Sequence, residues 1–294
     1  MSHGTRDPVA ILNELGLNQP DRVTPISGGA DTAIWRVEYG DRLLALRVFR
    51  ADQAAMAARE VVAMAAARNG GLPVPEVVAK GTWHDRPTLL LTWMPGRPLA
   101  HALTAQPWQA WALGVAFGRT QATIHRIPAP ATLDHPVPWI EWADPDDALR
   151  RRLRELTPEF DVLLHLDYHP MNVLVGDGQV TAVLDWANAR AGDPRADLAR
   201  TASILRFAPP GGALPAPVSY AVRRALDAGW RRGYRDVAGP MRDMAPFYAW
   251  AGAVMVRDLA PRLGRPDLPW LTLAFLGRVR TWAASWRARA GLPT

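Results

Sequence analysis

Two apolar runs, each interrupted or ended by polar groups, constrain the possible folds of this chain more than any other feature. The first is Leu163-Leu164-His165-Leu166-Asp167-Tyr168-His169-Pro170-Met171-Asn172-Val173-Leu174-Val175, and the second is Val183-Leu184-Asp185-Trp186. Short apolar runs bounded by polar and proline positions read as buried strands. Asp167, Asn172 and Asp185 then sit where strand ends meet loops, and loops at the ends of a rigid sheet are where chemistry is placed.

Phosphoryl transfer needs a carboxylate to orient an attacking hydroxyl and oxygen ligands to hold Mg²⁺ against the nucleotide phosphates. An Asp, an Asn five positions on, and an Asp opening the next loop supply those parts. A competing reading uses His165, Asp167 and His169. They alternate, so on a strand they would share one face and could bind a transition metal, as in a metallohydrolase. That reading leaves Asn172, Asp185-Trp186 and the later Gly192-Asp193-Pro194 without a role.

The blocks His165-Leu166-Asp167-Tyr168-His169-Pro170-Met171-Asn172, Leu184-Asp185-Trp186 and Gly192-Asp193-Pro194-Arg195-Ala196-Asp197-Leu198-Ala199 resemble, in order and separation, the motifs of the aminoglycoside phosphotransferase and choline kinase-like family. That family is a branch of the protein-kinase fold. The resemblance runs from about Val23 to Asp258 and is specific at these three blocks. It implies an α+β, bilobal protein-kinase-like fold, with a small antiparallel sheet plus one helix as N-lobe (1–93) and a mainly helical C-lobe (94–294). It also implies an ATP-dependent small-molecule kinase in which Asp167 is the catalytic base and Asn172 and Asp185 hold Mg²⁺. His165, Asp193 and Asp197 become structural, with Asp197 bracing the catalytic loop, and His169 is left unassigned.

The upstream half supplies the nucleotide side of such a site. Asp7-Pro8 opens a short helix through Leu15. Strands are expected at Arg22–Ile26, Thr32–Glu38 and Arg42–Phe49. The Ser27-Gly28-Gly29 turn between the first two is either a plain hairpin turn or a loop whose N–H groups cover phosphates. Arg47 is the one charge inside Leu43–Phe49, and a charge in a buried run needs a partner. The resemblance makes Arg47 the phosphate-facing cation and Glu60, on a helix from Ala51 to Arg68, its partner. Strands follow at Glu76–Lys80 and Pro87–Trp93, and Met94-Pro95-Gly96-Arg97-Pro98 then breaks the pattern. In the resembled fold this is the hinge, so Thr92, Trp93 and Met94 would meet the base through their main chain. Downstream, helices are expected at Pro107–Ile127, from Asp144 to Glu155, and at Asp197–Phe207, Val218–Arg235, Met241–Ala260 and Leu268–Ala290. Gly176-Asp177-Gly178 reads as a hairpin turn.

Composition excludes several classes. There is no cysteine, so disulfides and thiolate zinc sites are out, in keeping with a cytoplasmic protein. Lys80 is the sole lysine, and no Gly-x-x-x-x-Gly-Lys loop can be written around it. No charge-free apolar run reaches the roughly 18–20 residues of a membrane helix, and the N-terminus lacks the apolar centre of a signal peptide. The net charge of +6 is carried by arginines spread along helix-like stretches, which suits solvated faces better than a nucleic-acid site.

From Leu198 onward, fifteen arginines face five aspartates, a formal +10. Aminoglycosides are polycations and call for acidic pockets. The expected acceptor is therefore a hydroxyl compound that is neutral or weakly charged. The chain departs from the family pattern at Leu166, where glycine is usual, in the two rather than three glycines of the phosphate turn, and in arginine for the commoner kinase lysine. None of these removes a ligand, so an active enzyme is expected, with ATP favoured over GTP. A pseudokinase, binding nucleotide without turnover, is the alternative.

Overall fold

The structure, a computed structural model, describes residues 7–26, 32–133, 137–157, 161–208 and 214–293. The turn Ser27-Gly28-Gly29 lies outside the described residues. Helix α1 (Pro8–Glu14), capped by the Asp7 side chain on Val9 N–H, precedes a five-stranded antiparallel sheet. Its strands are β1 (Arg22–Ile26), β2 (Ala33–Tyr39), β3 (Arg42–Val48), β4 (Val77–Trp83) and β5 (Arg86–Thr92), in the order β1-β2-β3-β5-β4. Helix α2 (Ala54–Asn69) joins β3 to β4 after a single 3₁₀ turn at Ala51–Gln53.

Strand periodicity decides which way β3 faces. Leu44, Leu46 and Val48 alternate into a small core with Ile11, Leu12, Val37 and Leu90, so Ala45 and Arg47 are turned to the opposite face, over a cleft. The β4–β5 connection is tighter than the sequence suggests. His84 and Asp85 both take positive φ (45° and 62°), the geometry of a two-residue hairpin, and both strands lengthen up to it.

The chain leaves the five-stranded sheet at Thr92 and enters a second sheet at β6 (Arg97–Pro98), which pairs with β8 (Val173–Gly176); β9 (Gln179–Val183) completes that sheet. The Gly176-Asp177-Gly178 turn joins β8 to β9 as expected. A short pair, β7 (Val162–Leu164) with β10 (Arg190–Gly192), flanks it. The first apolar run is thus two strands with residues 165–172 as a loop between them.

Helices form the remainder: α3 (Leu99–Ala105), α4 (Ala110–Ile124), α5 (Asp147–Leu156), α6 (Pro194–Phe207), α7 (Ala216–Ala238), α8 (Ala245–Leu259) and α9 (Leu273–Arg289). Helix α3 and strands β6 and β10 are too short to leave a periodic signal. Prolines and caps move the expected boundaries. Pro246 belongs to the first turn of α8, so the helix opens at Ala245 rather than Met241. Thr272 caps α9 through its hydroxyl, four residues after the expected start. Asp193 caps α6, which opens at Pro194, three residues before the expected start at Asp197.

Helices α4 and α7 approach through glycines. Gly114 and Gly118 on α4 face Gly229 and Gly233 on α7, and a Cβ at Gly114 would lie 2.6 Å from the Leu226 carbonyl oxygen. A Cβ at Gly118 would fall still deeper into contact with the Trp230 carbonyl. Small residues spaced by four allow backbones to touch. We expect Gly118→Ala to cost about 1–3 kcal/mol in urea unfolding. Gly277→Ala on α9, where a Cβ meets nothing, should stabilise by about 0.5–1 kcal/mol.

Candidate active site

The loop between β7 and β8 is held from behind by one buried carboxylate. Asp197, on α6, is fully buried and accepts from His165 N–H (3.1 Å), Leu166 N–H (2.8 Å) and His125 Nε2 (2.9 Å). His125 in turn meets the Tyr234 hydroxyl through Nδ1 (2.8 Å). Burial alone would raise the Asp197 carboxyl, but the His125 hydrogen bond and the neighbouring histidines reverse that and hold it below the usual aspartate value. A second set of bonds pins Tyr168, on the far side of Asp167. Thr201 Oγ1 donates to Tyr168 O (3.0 Å), and the Tyr168 hydroxyl donates to Phe117 O (2.8 Å). Phe117 and His125 belong to α4 and its end, and Tyr234 to α7, so the glycine-mediated contact between those helices also sets the loop's position.

Leu166 has φ +60°, the left-handed region that glycine enters without cost. Its N–H is bound to Asp197, its carbonyl accepts from Arg200 Nε (3.3 Å), and its side chain is fully buried. The surroundings thus hold leucine in a conformation costing about 1–2 kcal/mol.

Asp167, Asn172 and Asp185 line a single cleft of about 980 Å³. The Asn172 main-chain carbonyl accepts from Leu184 N–H (2.8 Å), which ties the two segments together just before Asp185. Asn172 Nδ2 donates to Asp167 O (3.0 Å) and Oδ2 (3.3 Å), so Oδ1 is the atom of this side chain that could hold a metal. Asp185 takes φ +63° and is 44% exposed. A carboxylate oxygen and an amide oxygen are hard donors suited to a divalent cation shared with phosphates.

Asp167 is only partly exposed. Burial acts to raise its carboxyl, but the hydrogen bond and charge of His169, with Arg200 and His165 beyond, bring it down to about 2. His169 Nε2 is 3.7 Å from Asp167 Oδ1, and its Nδ1 accepts from Met171 N–H (3.2 Å).

Opposite these residues, Arg47 forms an ion pair and hydrogen bond with Glu60, which is fully buried on α2. Arg47 Nη2 is 3.9 Å from Asp185 Oδ1, so the cation spans from the helix acid to the cleft floor. Burial pulls the Arg47 guanidinium down, and Glu60 and Asp185 more than offset it. Its Nε is buried with no hydrogen-bond partner among the described residues, a donor that phosphate oxygen would satisfy. Thr92, Trp93 and Met94 also line the cleft. Thr92 N–H is taken by Glu76 O (2.9 Å) and Trp93 N–H by Leu43 O (3.0 Å). The main-chain N–H groups of Thr92 and Trp93 are thus committed within the fold.

The His-x-Asp-x-His reading does not survive this geometry. Residues 165–169 are loop rather than strand, and both His165 nitrogens are engaged, by Asp167 N–H (3.2 Å) and Leu184 O (3.0 Å). Among the described residues, no group of three or more His, Cys, Asp or Glu is placed to hold a metal. Sequence reasoning offers no signal for the reach of His125 from the end of α4 to Asp197. It also missed Arg200, although that residue directly follows Asp197-Leu198-Ala199 in the third block.

Comparison with known proteins agrees with this architecture. The structure of a thermostable mutant of the aminoglycoside phosphotransferase APH(4)-Ia, in ternary complex with AMP-PNP and hygromycin B, superposes with a TM-score of 0.68 at 16% identity, covering 99% of this chain and 100% of that one. Amicoumacin kinase hAmiN, in complex with AMP-PNP, Ca²⁺ and Ami, gives 0.67 at 15% identity, with 95% and 93% covered. Macrolide 2'-phosphotransferase MphH from Brachybacterium faecium gives 0.55 at 20%, with 95% and 96% covered. These likenesses establish the protein-kinase-like α+β fold. An uncharacterized Bacillus subtilis protein, YcbJ, is 40% identical over 60 residues, a match spanning 20% of this chain and 17% of that protein. The family model APH covers residues 22–247, from the first strand of the sheet into α8, and the chain belongs to that phosphotransferase enzyme family.

Proposed function

We propose that the protein transfers the γ-phosphoryl group of ATP, with GTP as a possible substitute, to a hydroxyl of a small molecule. One observation carries the reading: Asp167, Asn172 and Asp185 open on one cleft directly beneath the Arg47–Glu60 pair. Residues 1–93 form the nucleotide lobe and 94–294 the lobe that binds acceptor and metal. The reaction belongs in the cytoplasm, where ATP is supplied. Among the described residues, no helix is long and apolar enough to cross a membrane.

Asp167 accepts a hydrogen bond from the acceptor hydroxyl and aligns its oxygen with the γ-phosphorus. The new O–P bond forms as the bond from phosphorus to the β–γ bridging oxygen breaks, releasing ADP. A carboxylate titrating at about 2 is a weak base, so the hydroxyl proton passes to Asp167 late, when the oxygen has already bonded to phosphorus. Asn172 Oδ1 and the Asp185 carboxylate would hold Mg²⁺, which when bound neutralises phosphate charge. Arg47 donates to the phosphates from the opposite side, and Glu60 holds it there. Ser27, Gly28 and Gly29 are assigned to cover the phosphates, and the hinge from Thr92 to Met94 to meet the base.

The acceptor is not a polycation, because its end of the cleft is lined by arginines. The test is Mg²⁺-dependent ATP consumption across a broad panel of hydroxyl compounds, with product mass confirming the added phosphate. Transfer to a neutral or acidic acceptor is expected. Efficient transfer to kanamycin-like substrates refutes the assignment of acceptor. Thermal stabilisation by nucleotide with no transfer to any compound favours the pseudokinase.

A further inference from the structure

Three guanidinium groups converge on one indole ring at the acceptor end of the cleft. The Cζ atoms of Arg190, Arg200 and Arg257 lie 4.3, 5.2 and 5.4 Å from the centre of the Trp142 ring. They come from β10, α6 and α8, so the cluster is a tertiary construction rather than a run of basic sequence. Arg190 and Arg200 are 4% and 5% exposed, and all three line the same cleft as Asp167.

Among the described residues, the acids lining the cleft do not balance these charges. Of the carboxylates lining the cleft, Glu60, Asp167 and Asp185 belong to its catalytic end. The fourth, Asp258, is shared between Arg200 Nη2 (3.4 Å) and Arg257 Nη2 (3.1 Å). Arg200 Nη1 is buried and meets no hydrogen-bond partner among the described residues. Arg190 donates from Nε to Val137 O (3.2 Å) and from Nη1 to Asn188 O (2.8 Å), neutral carbonyls that hold the guanidinium in place, and burial, followed by repulsion from Arg59 and Arg257, lowers it to about 9. Burying cations side by side is costly unless an anion completes the site.

The same end offers apolar surface. Phe207, Trp270 and Phe275 line the cleft and also wall an adjoining hollow of about 460 Å³. That hollow adds Arg206, Arg223 and Arg278, with no acid among its described lining residues.

We infer that the acceptor hydroxyl compound carries an anionic group, a carboxylate or a phosphate, on an aromatic or apolar body, and that Arg190, Arg200 and Arg257 receive that group. The inference rests on the phosphotransferase reading for the identity of the acceptor, but its binding test does not require turnover. Arg200 borders both Asp167 and Asp258, so an anion on the cluster would leave the rest of the molecule reaching toward the catalytic base. Charge-assisted hydrogen bonds from planar guanidiniums suit carboxylate and phosphate alike.

The test is calorimetric binding with the nucleotide site filled by AMP-PNP and Mg²⁺, so that anionic probes cannot enter it. The probes share one hydroxymethylphenyl skeleton and carry a carboxymethyl, a phosphate ester, a neutral amide or an ammonium group. The better of the two anions should bind about ten- to hundredfold more tightly than the amide, with the ammonium compound weakest. The ranking of the two anions identifies which one the site takes. Arg257→Gln should shrink the preference about tenfold while AMP-PNP affinity stays unchanged. Absence of any preference for an anion, or an ammonium compound that binds best, overturns the inference in the wild type alone, whatever the variant does. Transfer to uncharged acceptors without charge discrimination would sink the inference and leave the phosphotransferase intact. A clear anion preference with no ATP consumed by any acceptor would do the reverse.

Discussion

Asp167→Asn should lower kcat by about 10²–10⁴-fold, the range for loss of a positioned general base, with little change in nucleotide affinity. Asparagine keeps the size of the side chain and one oxygen that can still accept from Asn172 Nδ2. It cannot take a proton from the acceptor, and its amide hydrogens oppose the hydroxyl that Asp167 would orient. Because the Asp167 carboxyl is held at about 2, the wild-type residue is ionised at every practical assay pH. The deficit should therefore be the same at pH 6 and pH 9. The decisive measurements are single-turnover phosphoryl transfer and nucleotide titration on both proteins. A variant retaining wild-type kcat would remove Asp167 from the mechanism, and equal loss of nucleotide binding would make its role structural.

The three sequence blocks made the lower half of the site legible because each combines a short apolar strand with polar residues at its end. Asp167, Asn172 and Asp185 do reach one cleft, and the Arg47–Glu60 pair forms as a buried charge demands. The five-stranded sheet was readable for the same reason, since the alternation in β3 shows which residues turn toward the core. Other features left no such trace. The left-handed turn at Leu166 is set by tertiary hydrogen bonds rather than by residue type, so the sequence shows only a missing glycine. Main-chain commitments at Thr92 and Trp93 depend on sheet register and are invisible in side-chain identity. The arginine cluster around Trp142 draws on residues 142, 190, 200 and 257, which no local pattern connects. The count of fifteen arginines after Leu198 gives the sign of the charge in that half of the chain without locating the cluster.

Asp197→Ala tests whether the brace beneath the catalytic loop is as costly to remove as its geometry implies. The substitution would leave His165 N–H, Leu166 N–H and His125 Nε2 facing a buried void with no acceptor. Removing one member of a buried charged network of this kind costs about 3–5 kcal/mol, which is a large share of the stability of an ordinary domain. Asp197→Asn should fall between, because one carbonyl oxygen remains while the amide group confronts donors. The sign of the pH dependence follows from the depressed carboxyl. In the unfolded chain Asp197 titrates near its ordinary value of about 3.9, and in the fold it titrates lower. Its stabilisation is thus fully present above that ordinary value and is lost as the pH falls through the folded pKa. Urea unfolding at pH 7 should separate wild type from Asp197→Ala by the full amount, and the gap should narrow below about pH 4. Catalysis should fall as well, although Asp197 touches neither substrate. With both N–H groups released, Leu166 can relax out of its left-handed conformation, and Asp167 moves with it. If the variant unfolds with the wild-type midpoint at pH 7, the loop is held by something other than this carboxylate.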